Sequence, residues 1–299
     1  MQIAIDPFMV RDRGLDGICA HAAEHGFRAI ELSIRDDFVP LFEGPRAGPA
    51  RVAELKAALT RHEVTLANLW TVYRWAEPDD PYAHEAAIRS FERFLVIAAE
   101  LGLKQVSSEF SGRPEKRERS DYAFWKSMEK IVPMLDRFGI DMALDPHPGD
   151  FVEDGAVALD MIRSMRSARV KFLYSMPHTY FLTATSARDL VLAAGDDMTI
   201  VRVADTLNHR QPLRFIVNPL GAPVAVHQHL NIGEGELPFA EIFAALAEIG
   251  FDGVLSSSVF GWPDRPDWSA GLMRTRIEDH LRAAGLWRDG LFGPGRAQT

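Results

Sequence analysis

The chain has 299 residues, 47% of them hydrophobic and 25% charged, enough to bury a full core and better suited in length to one large barrel than to two ordinary domains. Its 33 basic residues against 42 acidic ones leave a net charge of −9, which repels phosphate backbones and argues against nucleic acid as a partner. No apolar run approaches the roughly 18 residues of a membrane span, and MQIAIDPFMVRDRG lacks the charged and apolar regions of a leader, so a soluble, unsecreted, cytoplasmic protein with no membrane partner is expected.

Short β-branched or apolar runs alternate with stretches of helical periodicity, the pattern of βα units around a parallel sheet. In chain order, strands are expected at Gln2–Asp6, Ala29–Ser33, Thr65–Trp70, Gln105–Phe110, Asp141–Pro146, Val170–Ser175, Met198–Asp205 and Gly253–Val259. The helical segments lie at about 14–25, 47–63, 82–102, 119–139, 154–166, 185–195, 238–249 and 268–285, and Gly26, Gly102, Gly139 and Gly250 each close one before a strand. Eight units of this kind make a single (β/α)8 TIM barrel of class α/β over residues 1–290, with a loose polar tail at 291–299. The one cysteine, Cys19, has no disulfide partner and falls in the first helix as a core residue.

Two connections exceed a barrel's minimal loops: residues 71–81, and residues 206–237. The second holds Asn208, His209, Arg210, Arg214, His227 and His229, which is too rich in ligand types for a spacer and suggests an active-site cover or an oligomer contact. Barrels of this size often pair, so a homodimer is expected.

Reactive groups in such barrels come from the C-terminal ends of strands and the loops that follow. The fourth strand ends in Ser107-Ser108-Glu109-Phe110, the fifth in Asp145-Pro146-His147, the sixth in Ser175-Met176-Pro177-His178, and the eighth in Ser256-Ser257-Ser258. Asp145 and His147 are two apart on a strand and share a face, so together they can bind a divalent metal or pass a proton; the alternative is a carboxylate orienting a structural histidine. Glu109 follows small residues that leave room near the axis, and is a candidate acid, base or ligand. Arg202, a permanent charge on a barrel strand, needs an anion, a carboxylate or a substrate oxygen opposite it, and an Asp145 or Glu109 ion pair is the simplest. Asp205, three residues on, need not share its face. His178 follows the stiffening Pro177 at a strand exit, which favours a pocket role. His227 and His229 form an His-x-His pair, a moderate metal signal.

Trp70, Tyr73 and Trp75 cluster after the third strand, where aromatic faces can stack on a sugar or ring; a hydrophobic lid or dimer contact is the alternative. Gly233-Glu234-Gly235-Glu236 lacks the lysine and preceding strand of a phosphate loop. His21, His25, His62, His84 and His280 fall on helices and are expected at the surface.

SSEFSG, ALDPHPGDFVEDG, SMPHTYF, VRVADTLNHR, HQHLNIGEGEL and GFDGVLSSSVFGW resemble the strand-end motifs of the sugar phosphate isomerase/epimerase family with xylose-isomerase-like barrels, over roughly residues 1–285. That family also includes inosose dehydratases and type-two apurinic endonucleases. The resemblance implies proton transfer alpha to a carbonyl or hydroxyl of a sugar, cyclitol or similar polar small molecule, through an enediolate. It also implies a divalent metal held by Glu, Asp, His and Glu on strands five to eight, and those places here fall on Asp145, Ser175, Arg202 and Ser258. Serine is a feeble ligand and arginine has no lone pair to give, so that site is not expected to form.

Two arrangements remain open. A relocated Mn²⁺, Zn²⁺ or Mg²⁺ would use Asp145, Glu109, His178 and His229. In a metal-free site, Arg202 would polarise a carbonyl while His147 or Glu109 takes the proton. His178, Asp205, His209, Trp70 and Trp75 are assigned to substrate. Competing functions are a metal-independent lyase on a non-sugar, for instance aromatic, substrate, and a non-catalytic ligand-binding barrel; cleavage of abasic DNA would need a multi-metal site and a basic groove that the sequence does not show.

Overall fold

The computed structural model of the chain describes residues 1–33, 49–77, 79–208, 213–214, 223–224 and 227–294. Eight parallel strands close on themselves: β1 (Gln2–Ile5), β2 (Ala29–Ser33), β3 (Thr65–Trp70), β4 (Gln105–Glu109), β5 (Asp141–Asp145), β6 (Val170–Ser175), β7 (Met198–Val203) and β8 (Val254–Ser257). The helices α1 (Gly14–Glu24), α2 (Pro49–Arg61), α3 (Pro81–Glu100), α4 (Arg117–Phe138), α5 (Gly155–Ser164), α6 (Met176–Thr179), α7 (Ala187–Ala194), α8 (Phe239–Glu248) and α9 (Pro266–Ala283) alternate with them. The architecture is a single (β/α)8 barrel, as the alternation of periods predicts. The expected helix-closing glycines do that work: Gly26, Gly102, Gly139 and Gly250 have φ of 78°, 78°, 63° and 63°, a conformation that a Cβ disfavours. No helix among the described residues is long and apolar enough to cross a membrane.

Several strands stop one or two residues before their expected ends, because the next residue is taken by a loop. Asp6 turns out of β1 and caps the Phe8 amide at 3.0 Å, and Asp205 pairs with Leu230 instead of extending β7. The single-turn α6, which carries His178, is too short for periodicity to reveal.

Residue alternation stacks the barrel interior in layers. Ala4, Ala29, Ala67, Ala143, Leu173, Ile200 and Val254 form an apolar plug. Toward the strand C-termini, seven strands and the residue after β1 present Asp6, Glu31, Asn68, Ser107, Asp145, Ser175, Arg202 and Ser256, all buried. The plug explains why a chain can keep so polar a layer above it: the hydrophobic core proper lies outside the sheet, under the helices, where Cys19 is buried among Leu15, Ile18 and Ala22.

Three expectations change at this level. Trp75 is wholly buried, packs on Phe91 and donates its indole N–H to the Phe110 carbonyl at 3.0 Å, so it is core and presents no face to a substrate. His21 is also buried, with Nδ1 3.0 Å from Asp267 of α9, and is no surface histidine. The chain past Leu291 remains tied down for two residues, since Phe292 packs on Phe27 and the Gly293 amide donates to the Gly26 carbonyl at 2.7 Å.

Candidate active site

The polar layer is organised around Arg202. Its Nε donates to Glu31 Oε1 at 2.8 Å, Nη2 lies 2.6 Å from the same oxygen, Nη1 donates to Asp145 Oδ2 at 3.1 Å, and Nη2 reaches Ser107 Oγ at 3.5 Å. Asn68 closes the circuit, donating to Glu31 Oε2 at 3.2 Å and to Ser107 Oγ at 2.7 Å. Trp70 covers the guanidinium, its ring centroid 5.0 Å from Cζ, in cation–π geometry. Arg202 also borders the cavity above, its guanidinium held between Glu31 and Asp145. Burial pushes the Asp145 carboxyl well above the usual range while the adjacent guanidinium opposes the shift. Burial, with Glu31 nearby, raises the Asp6 carboxyl to about 7.

Above this floor four histidines from three parts of the chain converge. His147 leaves β5, His178 stands on α6, and His227 and His229 end the long β7–α8 connection. Ring centroids of His178 lie 4.5 Å from His147, 4.6 Å from His227 and 5.1 Å from His229, all edge to face. His178 Nε2 is 3.1 Å from His229 Nε2; its Nδ1 is 3.1 Å from Asp145 Oδ2, and His229 Nδ1 is 2.6 Å from the Ser258 carbonyl. Burial pushes His178 well below the ordinary imidazole range and His229 down to about 3.

On the β4 side, Glu109, His147 and Asp150 place ligand atoms within 4.8 Å of one another. Asp150 accepts the Ser111 amide at 2.8 Å, and burial together with Glu109 raises its carboxyl to about 7. Glu109, the histidines, Trp70 and Phe260 enclose a cavity of about 180 Å³ at the C-terminal mouth of the barrel.

Of the four residues expected to hold a relocated metal, His178 and His229 meet through their ring nitrogens. Asp145 instead bonds the far nitrogen of His178 and the Arg202 guanidinium, and Glu109 groups with His147 and Asp150. Asp205 does not reach the cavity: its two oxygens accept the backbone amides of Thr206, Gly233, Gly235 and Leu237 at 2.8–3.1 Å, so it anchors a loop and is no substrate ligand. His209 lies outside the described residues. Sequence reasoning passed over Glu31 and Asn68 and gave Asp150, at the exit of β5, no role; a charged residue inside the otherwise apolar run AIELS is the signal that could have found Glu31.

The four places where the resemblance puts a metal do not fit one. Asp145 is committed to Arg202 and His178, the Ser175 and Ser258 hydroxyls are buried without a hydrogen-bond partner among the described residues, and the Arg202 guanidinium is itself the cation between Asp145 and Glu31.

The barrel superposes on a D-tagatose 3-epimerase-like protein with a TM-score of 0.75 at 17% identity, covering 95% of this chain and 98% of that one. The IOLI protein with a bound zinc atom gives 0.74 at 17%, covering 97% and 100%, and a D-psicose 3-epimerase in the presence of D-fructose gives 0.72 at 14%, covering 95% and 100%. No curated protein sequence matches the chain. The model of the xylose isomerase-like TIM barrel matches residues 19–276, and with the closed barrel and its polar mouth this places the chain in the xylose isomerase-like TIM barrel family.

Proposed function

We propose that the protein is an isomerase or epimerase acting on a polar small molecule of monosaccharide or cyclitol size, by moving a proton at the carbon next to a carbonyl. The observation that carries this reading is the cavity of about 180 Å³ at the catalytic end of the barrel, bordered by the Glu109 carboxylate and walled by Trp70 and Phe260. That is below the roughly 300 Å³ at which drug-sized sites begin, and it suits a small polyol with one apolar face better than a polymer. The fold is shared with sugar 3-epimerases, which supports the same choice.

Glu109 is the group assigned to the proton. It would take the hydrogen alpha to the carbonyl, leaving the electron pair in an enediolate, and return a proton to the same or the neighbouring carbon. Arg202 is assigned a positioning role, since its bonds to Glu31 and Asp145 fix the floor on which substrate rests.

The test is proton exchange in deuterated water on ketohexoses, ketopentoses and cyclic polyol ketones, read by NMR, with Zn²⁺, Mn²⁺ and Mg²⁺ each supplied in turn. Deuterium should enter at the carbon beside the carbonyl, and Glu109→Gln should slow entry by about 100-fold or more. No exchange on any of these substrates overturns the reading.

A further inference from the structure

With the Asp145 carboxylate ionised, the four histidines share a geometry that no hydrogen-bond scheme satisfies comfortably. The Ser258 carbonyl can only accept, so His229 carries its hydrogen on Nδ1 and leaves a lone pair on Nε2. With Asp145 ionised, its Oδ2 accepts from both Arg202 and His178 Nδ1, and His178 Nε2 then also has a lone pair. These two nitrogens face each other at 3.1 Å. Two lone pairs at that distance repel unless a cation lies between them.

A proton on one ring would make an imidazolium, buried beside Arg202 and edge-on to two further imidazoles. A metal ion serves better. Nitrogens at 2.0–2.1 Å from one ion in tetrahedral geometry stand roughly 3.3 Å apart, close to the spacing seen. A ring nitrogen from each of His147, His178 and His227 lies within 4.8 Å of the others, and His229 joins them through its 3.1 Å approach to His178. The carboxylate behind His178 and the carbonyl behind His229 are the outer partners that fix a metal-binding imidazole's tautomer and raise its basicity.

We infer that His147, His178, His227 and His229 form a divalent-cation site of nitrogen donors. The donor set selects an ion of the Zn²⁺, Co²⁺ or Ni²⁺ kind over Mg²⁺, which wants oxygen ligands. The site is displaced from the strand positions of the family's carboxylate set, which Arg202 and the serines have taken over. Asp145 is a positioning residue for it, acting through His178. The assignment concerns the histidines alone and does not depend on the identity of a substrate.

The test is Zn²⁺ binding by the full chain, stripped with chelator, measured by equilibrium dialysis with elemental analysis, and Mg²⁺ as the comparison ion. The expected result is one Zn²⁺ per chain that Mg²⁺ does not displace, bound at least tenfold more weakly by His227→Ala and by His178→Gln. His25→Gln, which alters a separate His21, His25 and Asp267 group, should leave it unchanged. Co²⁺-loaded protein should show the ligand-field absorption of a low-coordinate nitrogen site, lost in the same two variants. His227 is half-buried, so circular dichroism of His227→Ala should match the parent. Absence of stoichiometric Zn²⁺, or binding that survives both substitutions, overturns the inference, while loss of proton exchange alone does not touch it.

Discussion

Arg202 and Glu31 meet inside the barrel with Nη2 2.6 Å from Oε1, both buried, although 171 residues separate them in the chain. Such a pair is worth little against a well-packed apolar replacement, but breaking it from one side strands a buried charge. Glu31→Gln and Arg202→Met are therefore each expected to lower stability by about 3–5 kcal/mol in urea unfolding. The double variant Glu31→Gln/Arg202→Met should be less destabilised than the sum of the two. Strict additivity would mean that the ion pair is not coupled.

That pair also marks the limit of what the sequence makes legible. The eight strands and their helices follow from local period, and the exits of β4, β5 and β6 correctly point Glu109, Asp145, His147 and His178 toward one end of the barrel. Pairwise convergence is a property of closure, which local patterns do not encode. Thus Glu31 passes as an ordinary strand residue, and of the two carboxylates that meet Arg202 the sequence anticipates Asp145 on β5 but not Glu31 on β2. Trp75 was misplaced for the same reason: following a strand is a one-dimensional property, and the turn after β3 folds the ring under α3 instead of toward the mouth. His227 and His229 were visible as a pair, but their meeting with His178 depends on the anchoring of the segment that follows them.

Asp205 supplies that anchor. Its carboxylate gathers four backbone amides between Thr206 and Leu237, and Gly235 is needed where it approaches, since a Cβ there would come within 2.4 Å of Asp205 Oδ1 and 2.5 Å of the Thr206 carbonyl. Hydrogen bonds to a charged group contribute about 1.5–3 kcal/mol each when singly removed, and less when lost together. Asp205→Ala is expected to cost about 3 kcal/mol or more. Gly235→Ala should destabilise both the parent and the Asp205→Ala background, because the carbonyl clash remains. Thermal unfolding of the four proteins checks this; an Asp205→Ala variant as stable as the parent would remove the anchoring role.

Trp75 and Trp70 should separate cleanly. Trp75 fills a wholly buried position against Phe91 and Tyr73, so Trp75→Ala should cost about 3–5 kcal/mol in denaturant unfolding. Trp70 walls the cavity and covers Arg202. Trp70→Phe keeps a smaller aromatic face, and is expected to change ligand affinity measured by calorimetry more than the unfolding midpoint. A reversal of these two phenotypes would reassign which ring faces the cavity.

Acid should weaken the fold at a place far from the barrel mouth. Burial, reinforced by His25, pushes the His21 imidazole from its ordinary 6.5 down to about 4. The native state therefore stays neutral there while the unfolded chain takes up a proton, and between these two pH values stability rises with pH. Lowering the pH from 6.5 to 4 should remove up to roughly 3 kcal/mol through this residue. Asp267, held below its ordinary range first by its bond to Arg13, acts in a lower window: its contribution is complete above its unfolded value and is lost below it as the pH falls toward the folded one. His178 and His229, also depressed by burial, act in the same direction as His21. Asp6 and Asp150, raised by burial to about 7, and Asp145, raised in the same sense, act the other way over this range, so the check is a difference: between pH 7 and pH 4 the urea midpoint of the parent should drop relative to that of His21→Gln. A difference that stays constant over this range would remove His21 from the acid response.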